Sequence, residues 1–256
     1  MPTLPLESMV TAVLFIGLRV GGLMVCAPFF SSQSIPPAVK VGLTVTLTAL
    51  LYSVYRPAGV EGGALGWTGT VAGEAAIGLL LGLAMQLVFE AAQMAGQLIG
   101  VQAGYSLVTL LDPQTQADTP VMSTFNQLVV LLLFLQMNVH HWLLRGLAAS
   151  FAYLPPGSLI STSRAAAGLL HAAAGIWLSG LQVAAPIVVA TLLVDITLGF
   201  LAKASPQIPV LFLGLSIKTA LSLTILAASL MFWPRLFERQ FAAAISLGER
   251  LLHLAK

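Results

Sequence analysis

Long apolar stretches that lack charged side chains are the feature that most constrains this chain. A helix that crosses a bilayer needs roughly 20 mostly apolar residues. Six stretches approach that length, at residues 8–30, 39–55, 71 to beyond 100, 124–148, 172–202 and 210–233. Only 8% of the 256 residues are charged, whereas a soluble domain usually carries about 25%. The sequence therefore predicts an all-α, multi-helix integral membrane protein with about six long hydrophobic helices.

The C-terminal tail, residues 234–256, differs from these stretches. Leucine and phenylalanine recur there at roughly helical spacing, with charged residues between them. This pattern is typical of an amphipathic helix that lies at the membrane interface or against a partner.

Several function classes are excluded by what the chain lacks. The formal net charge is +2, which is too small to indicate a nucleic-acid partner, and Cys26 is the one cysteine. The neighbouring His140 and His141 point about 100° apart on a helix, so they do not clamp one metal ion. No nucleotide-binding or nucleophile motif is present in the sequence. We therefore predict no catalytic, metal or cofactor site.

A polar face on the third apolar stretch is the first candidate functional surface. Four long polar side chains are spaced four, three and four residues apart, so a helix places them within about 60° of one another: Gln86, Glu90, Gln93 and Gln97. An adjoining face carries small residues at intervals of four: Gly96, Gly100 and Gly104. Lipid does not satisfy amide groups, and small residues let another helix approach closely. Two interpretations remain open, namely packing within the chain and a subunit-packing or lumen face in an oligomer.

Charged residues within the apolar stretches are the second candidate feature. A charge at a helix centre facing lipid costs at least about 2.5 kcal/mol, so such groups are expected to be paired or in a wet interior. The predicted buried charges are Arg19, Asp195, Lys203 and Lys218, and Glu90 is also intramembrane. They favour salt bridges between helices over a proton path. Asp195 and Lys203 are two turns apart, whereas Lys218 on the next helix can reach either level.

The connecting segment 105–118 is the third candidate. It combines an apolar run with an Asp-Pro turn, in the residues Tyr105, Leu107, Val108, Leu110, Leu111, Asp112 and Pro113. An apolar loop is unfavourable in water, and its backbone is unsatisfied in lipid. We therefore expect it inside an assembly, with packing against its own chain as the alternative.

Four motifs resemble the flagellar biosynthetic protein FliR family, which is homologous to the T-type export-apparatus subunit of virulence type III secretion. They are RVGGLMVCAPFFSSQSIPPAVKVGL, EAAQMAGQLIGVQAGYSLVTLLDPQTQADTPV, LLFLQMNVHHWLLRGL and DITLGFLAKASPQIPVLFLGLSIK. They occur in the family's order and cover nearly the whole chain, from about Arg19 to Trp233. The pair Asp112–Pro113 and the pattern Asn138-x-His140-x-Trp142 look more flagellar than virulence-type.

The resemblance implies a function that the residues alone do not give. It implies a non-enzymatic subunit of the flagellar export gate, which joins FliP and FliQ homologues, with an FlhB homologue nearby, and passes unfolded export substrates. The expected location is the bacterial inner membrane, at the centre of the flagellar basal body. The resemblance also implies helices in splayed hairpins, a FliP-like part at about 1–150 and a FliQ-like part at about 151–256. The segment from Tyr105 would then help to plug the channel.

Three alternatives to the flagellar gate follow from the same residues. One is the T-subunit of a virulence type III system. Another is a proton-coupled secondary transporter that uses Asp195 and Glu90, but it requires an inverted repeat and broken helices at the midplane, which the segments do not show clearly. An intramembrane enzyme requires a nucleophile with its base or a paired-metal constellation, and we find neither in the sequence.

Overall fold

The computed structural model describes residues 6–32, 35–55, 63–105, 121–157, 162–205, 207 and 209–255. Within these ranges the chain forms nine helices and no strand, which confirms the predicted all-α class. In chain order they are α1 (Leu6–Cys26), α2 (Pro37–Tyr52), α3 (Gly63–Gln102), α4 (Val121–Gln136), α5 (Val139–Tyr153), α6 (Thr162–Ala174), α7 (Ile176–Ala204), α8 (Val210–Ser229) and α9 (Trp233–Ala255).

The number of membrane-length helices is lower than the six stretches indicate. Four described stretches are long and apolar enough to cross a membrane, at Met9–Cys26, Gly66–Gln102, Ala167–Ala204 and Phe212–Ser229. A fifth crossing results if the bent pair α4 and α5 is one span. Helix α2 has 16 residues, which gives it a length of about 24 Å, short of the roughly 30 Å of a hydrocarbon core.

The break between α4 and α5 divides the predicted fourth stretch. Asn138 adopts a left-handed conformation with φ of 56°, and the two helices are bent by 68°. Asparagine tolerates this conformation better than most residues because its short polar side chain bonds locally. Apolar periodicity continues across residues 124–148, and it therefore does not reveal the break.

Threonine-rich α2 is helical although threonine disfavours helix interiors. Thr44, Thr46 and Thr48 each donate a hydrogen bond to the carbonyl four residues earlier, at 2.7 to 2.8 Å. This bonding satisfies the hydroxyl groups without a partner outside the helix. Pro37 stands at the first helical position, where its missing N–H has no helical partner to lose.

The chain divides into two compact units, each assembled from separate parts of the sequence. Unit 1 comprises Met1–Leu87, Phe134–Ala174 and Gln240–Lys256, and unit 2 comprises Val88–Leu133 and Gly175–Arg239. Unit 1 contains the first part of α3 with α1, α2, α5 and α6. Unit 2 contains the last part of α3, most of α4, and the helices α7 and α8. The expected division into FliP-like and FliQ-like parts stays a prediction.

The amphipathic tail forms α9, as predicted. In unit 1, Phe241, Leu251 and Leu252 are buried, whereas Glu249 and Arg250 are exposed. Phe241 meets Phe134 edge to face, with the ring centroids 5.8 Å apart. The buried apolar face thus holds this part of the tail against its own unit.

Candidate functional site

The predicted polar face of α3 lies on one continuous helix. Gln86, Glu90 and Gln93 are half-buried, and Gln97 is exposed. The face is therefore partly accessible in the isolated chain, although most of this helix is covered. Of the membrane-length window of α3, 61% is buried. The accessible remainder is where a neighbouring subunit or water can reach these side chains.

The adjoining small-residue face is occupied by α4 of the same chain. A Cβ at Gly96 would overlap the backbone of Ser123, and it would lie 2.6 Å from the carbonyl oxygen of Met122. The Ser123 hydroxyl donates to the Gln93 carbonyl at 3.0 Å, and the Asn126 amide donates to the Ala92 carbonyl at 3.3 Å. These contacts favour packing within the chain as the role of Gly96.

Gly100 and Gly104 differ from Gly96 in what surrounds them. A Cβ at Gly100 would meet Met122 at an ordinary 3.8 Å. Gly104 has φ of 87° and terminates α3. The N–H of Tyr105 bonds to the Gly100 carbonyl and that of Gly104 to the Val101 carbonyl, at 3.0 and 3.1 Å. This is a Schellman end, which requires a left-handed residue and therefore favours glycine.

The structure describes only the first residue of the predicted plug segment. Tyr105 is half-buried at the end of α3. Leu107, Val108, Leu110, Leu111, Asp112 and Pro113 lie outside the described residues.

A buried ionic cluster in unit 1 surrounds Arg19, the first predicted charge. The Arg19 Nε donates to Glu74 Oε2 at 2.7 Å, and both side chains are fully buried. The Arg19 Nη1 donates to Ser150 Oγ at 3.2 Å and to the Leu154 carbonyl at 3.0 Å. The guanidinium carbon lies 4.3 Å from the centre of the Phe151 ring. The cluster therefore connects α1, α3 and α5.

Glu74 completes this cluster and was missed by the sequence analysis. Its second oxygen accepts a hydrogen bond from the Gly157 N–H at 2.9 Å. The signal that identifies it is the same one that identified Arg19, since Glu74 is a charged residue early in the third apolar stretch. An arginine and a glutamate that are both buried in apolar stretches are natural partners, because each compensates the charge of the other.

In unit 2, Lys218 pairs with Asp195, which is one of the two levels that the sequence left open for it. The Lys218 ammonium forms a salt bridge with the Asp195 carboxylate, across α7 and α8. The Asp195 side chain is 46% exposed and that of Lys218 is 19% exposed. Lys203 is exposed in the last turn of α7, where a cation complements the helix dipole. In the isolated chain, Arg19 is thus the one member of this predicted set that is fully buried.

Helices α7 and α8 expose much of their apolar surface. Only 22% of the window Ala167–Ala204 and 17% of the window Phe212–Ser229 are buried. Phe200 and Phe212 are more than two-thirds exposed. Apolar surface of this extent requires lipid or another protein chain as its environment.

Comparison with known proteins gives the class first. Residues 10–244 match the family described as "Bacterial export proteins, family 1". Together with the apolar helices, this match defines a membrane protein of the bacterial protein-export class.

Curated relatives give the particular family. The chain is 31% identical over 230 residues to flagellar biosynthetic protein FliR of Escherichia coli K12, covering 90% of this chain and 88% of the relative. It is 33% identical over 236 residues to FliR of Pectobacterium carotovorum, with the same coverage. It is 29% identical over 247 residues to FliR of Bacillus subtilis 168, covering 95% of each chain. The chain belongs to the FliR family. It is therefore a component of the flagellar export apparatus in the bacterial inner membrane.

Proposed function

We propose that this chain is a non-enzymatic structural and gating subunit of the flagellar type III export gate. It assembles with FliP and FliQ homologues beside an FlhB homologue, at the centre of the basal body. The gate passes unfolded flagellar substrates across the inner membrane. Membership of the FliR family, shown by curated relatives that cover about nine-tenths of the chain, is the observation that carries this proposal. The exposed apolar surface of α7 and α8 supports it, since partner helices bury such surface.

The polar face of α3 is the part of the chain that we assign to the lumen or to neighbouring subunits. Its side chains are half-buried to exposed within an apolar helix, and lipid offers them no hydrogen-bond partners. Cysteines in place of Gln86, Gln93 and Gln97 are expected to crosslink to partner chains or to react with a water-soluble thiol reagent in the complex. Labelling by a lipid-soluble reagent alone at all three positions contradicts this assignment.

The segment from Tyr105 to Asp118 is assigned to the seal of the closed gate. Hydrophobic constrictions close pores by excluding water and ions. Deletion of residues 108–114 is expected to make the gate leaky to small ions while the complex still assembles. Assembly without a rise in ion conductance shows that this segment is not the seal.

Co-purification tests the assembly itself. A tagged chain is expected to retain FliP-like and FliQ-like chains through purification in a mild detergent. A tagged membrane protein unrelated to export, expressed at the same level, serves as the control. A transport-competent monomer or dimer without these partners favours the secondary transporter instead.

A further inference from the structure

A groove in unit 1 lies between α1 and α2. The residues that line it include Gly21 and Val25 of α1 and Lys40, Val41 and Val45 of α2. Its volume is about 470 Å³, which is within the range of about 300–1,000 Å³ of clefts that bind small molecules. The groove is therefore large enough to receive several side chains of another chain.

The walls of this groove favour an apolar helix as the occupant. A Cβ added at Gly21 would meet nothing within 4 Å, so the α1 wall is bare backbone at this level. Val25, Val41 and Val45 are each more than 60% exposed. Small residues let the backbone of another helix approach closely, and the three valines offer that helix apolar surface to bury.

Lys40 adds a positive charge to the groove lining. Its side chain is half-buried, and its ammonium forms no ion pair with any residue that the structure describes. The buried carboxylate of unit 1, Glu74, is already bound by Arg19 and by the Gly157 N–H. Lys40 also stands in the first turn of α2, where the helix dipole disfavours a cation. The described chain thus offers Lys40 no counter-charge, and a carboxylate on a docked helix supplies one.

We propose that the groove between α1 and α2 docks an apolar helix of a partner subunit, and that one Asp or Glu of this helix pairs with Lys40. The inference rests on the proposed assembly and adds a contact surface on α1 and α2 to those assigned on α3, α7 and α8. A carboxylate on an apolar helix is costly when it is unpaired in lipid, so both chains gain from the pair. The bare backbone at Gly21 favours a helix over an acyl chain, because helices gain contact there by close approach.

Charge variants of Lys40 in the tagged full chain test the pairing by co-purification with FliP-like and FliQ-like chains. Lys40→Met keeps an unbranched side chain without the charge, and it is expected to lower the partner retained per tagged chain at least about tenfold. Lys40→Arg keeps the charge and is expected to retain the partner. Lys203→Met, at an exposed position of α7, is the control for loss of a positive charge. A lowered melting temperature of purified Lys40→Met assigns Lys40 to the fold and overturns the proposal.

A second pair of variants tests the shape of the groove. Gly21→Leu fills the bare wall and is expected to lower retention of the partner chains as Lys40→Met does. Gly42→Leu is the matched control on α2, because Gly42 is exposed and nothing lies within 4 Å of its added Cβ. We expect it to retain the partner chains. Unaltered retention in Lys40→Met or in Gly21→Leu overturns the proposal.

A lipid-soluble carbodiimide identifies the partner carboxylate in the purified complex. The reagent condenses a lysine amine with a carboxylate to an amide, which peptide mass spectrometry locates. We expect an amide between Lys40 and an Asp or Glu of a partner chain, and none in Lys40→Arg. An amide between Lys40 and this same chain overturns the proposal. A wild-type chain that retains no partner contradicts the proposed function as well, whereas a wild-type complex that all the variants leave intact contradicts this inference alone.

Discussion

The two ion pairs that the described residues form have opposite environments. Arg19 and Glu74 in unit 1 are fully buried and are surrounded by further hydrogen bonds from α5 and the residues after it. Asp195 and Lys218 in unit 2 join two apolar helices, but the carboxylate is 46% exposed. The residues of this chain alone bury the first pair and supply its hydrogen-bond partners. The second pair is left partly exposed to solvent in the isolated chain.

This contrast extends to the helices that carry the two pairs. In unit 1, α1 approaches α3 so closely that a Cβ at Gly22 would lie 2.7 Å from the Ala75 carbonyl oxygen. In unit 2, a Cβ at Gly214 would meet only the tip of the Leu198 side chain, at 2.7 Å. Backbone does not yield, whereas a flexible side chain does. Beside its charge pair, unit 1 therefore packs backbone against backbone, whereas the contact between α7 and α8 at Gly214 is made by a side chain.

The largest effect is expected from removal of the Glu74 charge. Glu74→Gln leaves the Arg19 guanidinium buried without a counter-charge, which costs about 3–5 kcal/mol. Thermal unfolding of the purified chain in a mild detergent measures this loss. Glu249→Gln, at an exposed position of α9, is the control and is expected to unfold like the wild type.

A double variant distinguishes the buried charge from simple loss of packing. Apolar side chains of similar volume can replace a buried pair at little cost. Arg19→Met combined with Glu74→Leu is therefore expected to recover much of the stability lost in Glu74→Gln. A double variant that is less stable than the single one contradicts this account of the cluster.

Close helix packing in unit 1 gives an intermediate effect. Gly78→Ala places a Cβ onto the backbone of α1, overlapping the Arg19 carbonyl and lying 2.9 Å from the Leu23 nitrogen. Overpacking of this kind costs about 1–3 kcal/mol. Gly21→Ala is the matched control on α1, because nothing lies within 4 Å of its added Cβ. We expect it to be neutral or stabilising, since alanine favours helices by about 1 kcal/mol over glycine. Equal melting temperatures for the two variants exclude close packing at Gly78.

Sequence reasoning succeeded where the structure follows from the hydrophobicity or the charge of individual residues. The apolar stretches predicted the helices. The cost of a charge in an apolar helix predicted salt bridges between helices, but it left open whether Lys218 reaches the level of Asp195 or that of Lys203. Sequence reasoning missed Glu74, and it did not foresee the break at Asn138 within an apolar run. A left-handed residue changes direction without changing hydrophobicity, so periodicity carries no sign of it. The role of Gly96 depends on which helix lies opposite, and that of Gly104 depends on a left-handed conformation at the end of α3. Spacing alone specifies neither of these.

The smallest effect on the isolated chain is expected from Asp195→Asn. A half-exposed pair contributes about 1 kcal/mol or less, so the purified variant is expected to unfold close to the wild type. This outcome contrasts directly with Glu74→Gln. If the melting temperature of purified Asp195→Asn falls as far as that of Glu74→Gln, the two pairs contribute equally to stability and the comparison fails.

In the assembled complex, Asp195→Asn is expected to have a larger effect than in the isolated chain. If a partner subunit covers Asp195 and Lys218, the pair becomes buried there, and removing the carboxylate costs on the order of 3–5 kcal/mol of assembly. Co-purification of FliP-like and FliQ-like chains with Asp195→Asn measures this loss. Lys203→Gln is the control, because Lys203 is exposed on the same helix and forms no ion pair with any described residue. Normal assembly with blocked export indicates instead that Asp195 carries protons, because the carboxylate is then needed for transport and not for the contact.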